Sequence, residues 1–402
     1  MFKGALPGFR DFYPQELAER AFIMQAWRDV ARRYAFVEYD GPPLEPLELY
    51  TKKSGAEIVG QLYHFVDKGG REVALRPEMT PTVARMVAAR ANALRKPVRW
   101  FSMPQLFRYE RQQKGRLREH YQLNVDIFGS ADVAADAELV ACAVDMMRVF
   151  GLTSSDVVVR VSDRRLLQAF LESLDVPPAS VSDVYGVIDK LDRTPADMSS
   201  ARLVALGVSA RGVERILSIG AVTLVELQQQ LAGSPAAVHA AEFERYTAYV
   251  AALLGGDASW LALDLSIVRG LAYYTGIVFE LFDRTGEFRA ICGGGRYDTL
   301  LQSLGGADMP ALGFGMGDVV LGELLRAKGL LTPADASPDY WIAAGEETPM
   351  ETVMADAARR RAAGHAVEYA LRPQSLNKQK KAAQASGARE FVTLSNDDAS
   401  NG

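Results

Sequence analysis

The chain has 402 residues, a formal net charge of -5, 49% hydrophobic and 24% charged residues. That length exceeds what one hydrophobic core usually organises, the composition is that of a folded globular protein, and the acidic balance excludes indiscriminate polyanion binding by the whole surface. Two distant cysteines, Cys142 and Cys292, and four scattered histidines indicate neither a disulfide framework nor a zinc site, and no apolar run approaches the roughly 20 residues needed to span a bilayer.

The opening MFKGALPGFRDFYPQE is too polar for a signal peptide, so a reducing, cytoplasmic location and no membrane partner are expected. In ELAERAFIMQAWRDVARRYA the apolar spacing predicts an amphipathic helix from Glu16 to about Ala35. FVEYDGPPLEP then reads as a strand broken by prolines. In LRPEMTPTVARM, Thr80 is expected to cap a helix with Pro81 at its first position, following a strand that carries Glu78.

The stretch LFRYERQQKGRLREHYQLNVDIFG concentrates Arg108, Arg111, Lys114, Arg116 and Arg118 in an acidic chain. A period of two along LFRYE places Arg108 and Glu110 on one face, and along YQLNVDIF it places Gln122, Asn124 and Asp126 opposite Tyr121, Leu123, Val125 and Ile127. Two antiparallel strands joined by a cationic loop are therefore predicted. A surface hairpin with solvated charges is the competing reading. A face that mixes guanidinium, carboxylates and amides favours a polar ligand, because such groups make charge-assisted and bidentate bonds.

Residues 188–254 are Ala/Leu-rich, helical in period and poor in chemistry, and read as a helical insertion. Strand-like runs LALDLSIV and GIVFELF follow, then a predicted glycine turn CGGGRYD, then a strand and helix in ALGFGMGDVVLGELLRAKG. LTPADASP, at 331–338, reads as a linker. From DYWIAAG onward a β-α-β-α-β alternation, with Gly364 and Gly387 as helix C-caps, predicts a small α/β domain at 339–402. Its basic helix LNKQKKAAQASG either touches phosphates or is a solvated face. No P-loop is present.

Several ordered blocks, FRYERQQKGRLREHYQ, VRGLAYYTGIVFE, GGGRYD, LRPEMT and IDKLDR, together resemble histidyl-tRNA synthetases, which are class II aminoacyl-tRNA ligases, and the wording is nearest to their plastid-like and related bacterial branch. The resemblance covers nearly the whole chain. It implies an α+β fold with a six-stranded antiparallel sheet flanked by helices. The catalytic core would occupy 1–187 and 255–330, interrupted by the insertion, and residues 339–402 would be a shortened anticodon-binding-like domain. It also implies a homodimer that joins histidine to ATP, with Mg2+, as histidyl-adenylate and then transfers it to tRNA(His).

Carried over residue by residue, the resemblance implies that Arg108 binds the α-phosphate, Glu110 the adenine amino group and Arg116 the γ-phosphate. Glu78, Thr80 and Gln122 would hold the histidine amino and carboxylate groups, Asp126 its imidazole, and Tyr273, Tyr274 and Tyr297 would enclose its ring. Arg269 would be the second cation at the α-phosphate, and Gln113 and Arg118 would face the acceptor end of tRNA. Two fixed guanidiniums on one phosphate suit a reaction that adds a carboxylate to a phosphorus already crowded with negative oxygens.

Three departures accompany the resemblance. Val320 stands where the third class II motif carries an arginine, Ala272 stands where many members have aspartate, and, set against the family's C-terminal domain, the last strands and helix are expected to be missing. A second reading is the histidine-sensing, non-catalytic regulatory subunit of ATP phosphoribosyltransferase, against which Arg108, Glu110, Arg116 and Arg269 stand. A third is a binding module for other histidine-like ligands.

Overall fold

The protein was analysed as a computed structural model, which describes residues 4–51, 59–110, 115–268 and 274–394. Two compact units make up the chain, Met1–Thr332 and Pro333–Gly402. In the larger unit the first helix, Pro14–Arg33, begins and ends slightly earlier than the periodicity suggested. Proline sits in its first turn and Arg32 and Arg33 in its last, and Ile23, Trp27, Val30 and Ala31 form its buried stripe.

The strands of this unit are β1 (Val37–Glu38), β2 (Leu44–Pro46), β3 (His64–Val66), β4 (Glu72–Leu75), β5 (Val98–Ser102), β6 (Gln105–Phe107), β7 (Glu119–Phe128), β8 (Val157–Asp163), β9 (Leu261–Leu263), β10 (Ile277–Asp283), β11 (Cys292–Arg296) and β12 (Ala311–Gly317). The prolines do break FVEYDGPPLEP, into β1 and β2, which belong to different sheets. The main sheet runs β1-β5-β7-β12-β11-β10-β8-β9, with β6 paired to β7 beside this path. From β5 to β8 every pairing is antiparallel, which gives the expected six-stranded antiparallel core. Parallel edge strands β1 and β9 extend it. A small sheet, β2-β4-β3, stands apart from it.

Along β7 the two faces separate as the alternation predicted. Leu123, Val125 and Ile127 enter the main core, where they meet helix Val133–Arg148, capped at Asp132 through the Ala134 amide. Asn124 and Asp126 are buried on the other face.

The helical stretch 188–254 does not build a core of its own. Leu203, Ile216, Leu227, Phe243 and Tyr246 join the same apolar cluster as the sheet, and helix Ala237–Leu253 packs on helix Val133–Arg148. The second unit contains β13 (Tyr340–Ala344), β14 (Val367–Tyr369) and β15 (Glu390–Leu394) in the parallel order β14-β13-β15, with helices Met350–Ala362 and Leu376–Ser386 between them in sequence. Gly387 ends the latter helix in the left-handed region at φ 73°, the conformation for which glycine has no steric penalty.

Candidate active site

Four local expectations change in the structure. CGGGRYD does not turn: Cys292–Arg296 is the fully buried strand β11 near the middle of the main sheet. Glycine is required there because its neighbours press close. A Cβ on Gly294 would lie 2.3 Å from the Gly313 carbonyl oxygen, and one on Gly295 would lie 2.6 Å from that of Ile277. Glu78 is not on a strand, since β4 ends at Leu75, and Thr80 is the first residue of helix Thr80–Ala89 rather than its cap, which falls at Met79 without a side-chain bond. Arg108 and Glu110 lie just past the end of β6, because the segment leaves the ladder to border a cavity.

That cavity, about 960 Å³, brings together Glu78, Thr80, Arg108, Glu110, Arg116, Gln122, Asp126, Tyr274 and Tyr297. Sequence reasoning named all of these, and they come from segments spread over more than half the chain. Arg118 is elsewhere: its guanidinium stacks over Tyr109 at 4.2 Å and donates to the carbonyls of Glu110 (3.3 Å) and Pro7 (3.4 Å). Gln113, Arg269 and Tyr273 lie outside the described residues.

At one end, the Nε–H of Arg108 donates to the Pro77 carbonyl at 2.8 Å, which fixes this guanidinium beside the turn carrying Glu78. Arg116 pairs with Glu110 at 3.0 Å. Along β7, Gln122 donates to Asn124 at 2.9 Å. Burial, with Arg108 nearby, pushes the His120 imidazole down to about 3, so the ring is neutral at physiological pH. Sequence reasoning missed His120 although it shares the parity of Gln122, Asn124 and Asp126. Of IDKLDR, it saw the resemblance but not that Ile188, Asp189, Lys190, Asp192 and Arg193 line the cavity.

The floor is made by glycines. Gly313 and Gly315 on β12 face Asp126 and Asn124 on β7. A Cβ on Gly313 would come 2.2 Å from Asp126 Oδ1, and one on Gly315 would come 2.4 Å from Gln122 Nε2. The missing side chains therefore leave room for Asp126 and Gln122 to lie across the sheet. The Tyr297 hydroxyl donates to Asp126 Oδ1 at 2.5 Å. Among the described residues, Asp126 Oδ2 is buried and has no hydrogen-bond partner. Burial pushes the Asp126 carboxyl up to about 7, against the pull of the Tyr297 bond. An orphaned buried acceptor at a cavity floor is suited to a ligand N–H.

Charged side chains outside the cavity hold these strands in place. Arg10 bonds Glu119 at 2.6 Å and Asp318 at 2.9 Å, and Asp318 also accepts the Tyr121 amide at 2.9 Å, which ties the start of β7 to helix Asp318–Ala327. Arg296, at the end of β11, pairs with Asp136, with Asp298 at 3.1 Å and with the Ser130 carbonyl at 2.9 Å. Val320 lines the cavity as apolar surface. No group of three or more His, Cys, Asp or Glu side chains among the described residues could hold a metal ion.

The sequence profile of the histidyl-tRNA synthetase family matches residues 8–317. A histidine–tRNA ligase of Opitutus terrae is 45% identical over 390 residues, covering 96% of this chain and 89% of that protein. The chloroplastic/mitochondrial histidine–tRNA ligase of Arabidopsis thaliana is 40% identical over 388 residues, with 96% and 79% covered. The histidyl-tRNA synthetase structure from Nostoc sp. PCC 7120 has the same fold, with a TM-score of 0.81, 24% identity, and 97% of this chain and 91% of that chain covered.

Proposed function

The chain belongs to the histidyl-tRNA synthetase family, and from that premise we propose how its cavity carries out the reaction. The protein is an ATP-dependent histidine–tRNA ligase. A carboxylate oxygen of histidine attacks the α-phosphorus of ATP, the bond to pyrophosphate breaks, and histidyl-adenylate forms. The terminal ribose hydroxyl of tRNA(His) then attacks the acyl carbon, and AMP leaves.

In this reading Asp126 recognises the substrate. Its Oδ2, without a partner among the described residues, accepts an imidazole N–H, while Tyr297 occupies Oδ1 and keeps the carboxylate turned into the cavity. That buried orphan oxygen, in the cavity that Gln122 and Glu78 also line, is the observation that carries the proposal. A ligand without a ring N–H would leave it unpaired, which is how such a site rejects isosteres. Glu78, Thr80 and Gln122 hold the amino and carboxylate groups, and Tyr274 and Tyr297 wall the ring.

Arg108, held by the Pro77 carbonyl, faces the α-phosphate, Glu110 the adenine amino group and Arg116 the γ-phosphate. Guanidiniums fixed before charge redistributes lower the barrier without reorganising during the reaction. Arg269 as the second α-phosphate cation, Tyr273 at the ring, and Gln113 with Arg118 toward the tRNA acceptor end complete the assignment. Mg2+ enters with the outer phosphates of ATP as part of that substrate.

The exposed Lys378, Lys380 and Lys381 are proposed to meet tRNA phosphates. A homodimer is part of the same proposal and would cover exposed apolar residues such as Val37, Phe65 and Val66. No described helix is long and apolar enough to cross a membrane, and a cytoplasmic setting is part of the same proposal. Histidine-dependent exchange of pyrophosphate into ATP, followed by charging of tRNA(His), tests the reading. Histidine binding with no exchange by Mg2+-supplied protein would refute it in favour of a histidine sensor.

A further inference from the structure

The cavity carries one more cation, Arg289, which the motifs did not single out. It sits on the hairpin between β10 and β11. That hairpin is built rigidly: the buried Asp283 accepts the amides of Glu287 and Phe288, both at 3.0 Å, and the Thr285 hydroxyl at 2.5 Å. Phe288 packs into the main core, and the ladder resumes where the Ile291 amide donates to the Leu281 carbonyl at 2.8 Å. A side chain at 289 thus projects from an anchored arm into the cavity.

Its neighbours define what it faces. A Cβ placed on Gly115 would be 3.4 Å from Val320 Cγ2 and 3.7 Å from Arg289 Cδ, so the stem of Arg289, Val320 and the return of the cationic loop meet at one point. Arg116, next in sequence, is paired with Glu110 at 3.0 Å. Burial and then Arg116 hold the Arg289 guanidinium below its ordinary pKa, with Glu110 opposing and Arg193 adding to the repulsion. The guanidiniums of Arg289, Arg116 and Arg193 thus act on one another around Glu110, with Asp189 beside Arg193 at 3.9 Å, while Val320 contributes no charge. Cationic side chains brought to one cavity from separate elements favour a multiply charged anion between them.

We propose that Arg289 is a substrate-binding residue of this site, its guanidinium facing Arg116 across the outer phosphates of the nucleoside triphosphate. The inference rests on the assignment of the cavity as the ATP site. A planar fork from each side grips a phosphate by charge-assisted bonds that one arginine alone cannot complete.

The test is Arg289→Gln, at an exposed position, in the full chain. In histidine-dependent pyrophosphate exchange the KM for ATP should rise by about tenfold or more, with the KM for histidine within about twofold of the wild type. Calorimetric affinity for histidyl-sulfamoyl-adenosine, an adenylate mimic that lacks the outer phosphates, should likewise change by no more than about twofold. An unchanged KM for ATP would overturn the inference, as would a parallel loss of affinity for the mimic, which would place the side chain at the nucleoside or in a structural role. A wild type without exchange would bring down the ATP-site assignment itself, and this inference with it; a wild type that exchanges beside an unaltered variant defeats the inference alone.

Discussion

Replacing Asp126 by asparagine should change the pH dependence of stability. Burial holds this carboxyl at about 7 in place of its ordinary 3.8. A group whose pKa is raised by folding lends stability that is fully present below its unfolded pKa and is lost as pH climbs to its folded pKa. The loss amounts to about 1.4 kcal/mol for each pH unit in that window and levels off above it. Between pH 5 and pH 8 the wild type should therefore lose about 2 to 3 kcal/mol that the neutral Asp126→Asn variant does not lose. Urea unfolding of both proteins at the two pH values measures this directly, because every other titrating group is common to the pair. A wild-type-minus-variant difference that stays constant from pH 5 to pH 8 would refute the reasoning, since Asp126 would then ionise in its burial site without cost. The same substitution removes the charged acceptor proposed for imidazole. Histidine binding by calorimetry should weaken about ten- to a hundredfold, as expected when a hydrogen bond to a charged group is lost.

Arg296→Leu leaves Asp136 buried without its cation and should destabilise the protein by about 3 to 5 kcal/mol in the same urea assay; a loss below about 1 kcal/mol would show that Asp136 finds another partner. Gly294→Ala and Gly315→Ala should differ in kind. The first pushes a methyl against the Gly313 carbonyl and should lower stability by about 1 to 3 kcal/mol or more. The second meets only the end of the Gln122 side chain, so it should leave the melting temperature nearly unchanged while raising the KM for histidine. Equal effects on stability from the two would contradict the glycine-floor argument.

Within β7 the local pattern was sufficient. Alternation put Gln122, Asn124 and Asp126 on the cavity face and Leu123, Val125 and Ile127 in the core, because a strand has a period of two whatever it pairs with. The same parity contained His120, which went unread because a single histidine beside a charged loop has no local signature. CGGGRYD misled for a related reason. Glycines permit turns, but they also permit a strand pressed between close neighbours, and only the positions of Gly313 and Ile277 decide which. Thr80 showed the limit of capping rules, since TP reads as cap and first position while the observed helix starts one residue earlier.

What the sequence determined by itself was the set of chemical groups, the two-faced strands, the small parallel α/β unit and the family, all of which rest on residue order and local period. The tertiary structure alone decided which groups meet. Tyr297 reaches Asp126 across 171 residues because strand order in the sheet and the missing side chains of its glycines leave room for that bond, and Arg289 and Val320 both come up against Gly115 of the cationic loop. The same geometry decided that Asp126 Oδ2 is buried without a hydrogen-bond partner among the described residues: how deeply a carboxylate is buried, and which of its oxygens finds a partner, depend on everything packed around it, and no stretch of sequence contains that.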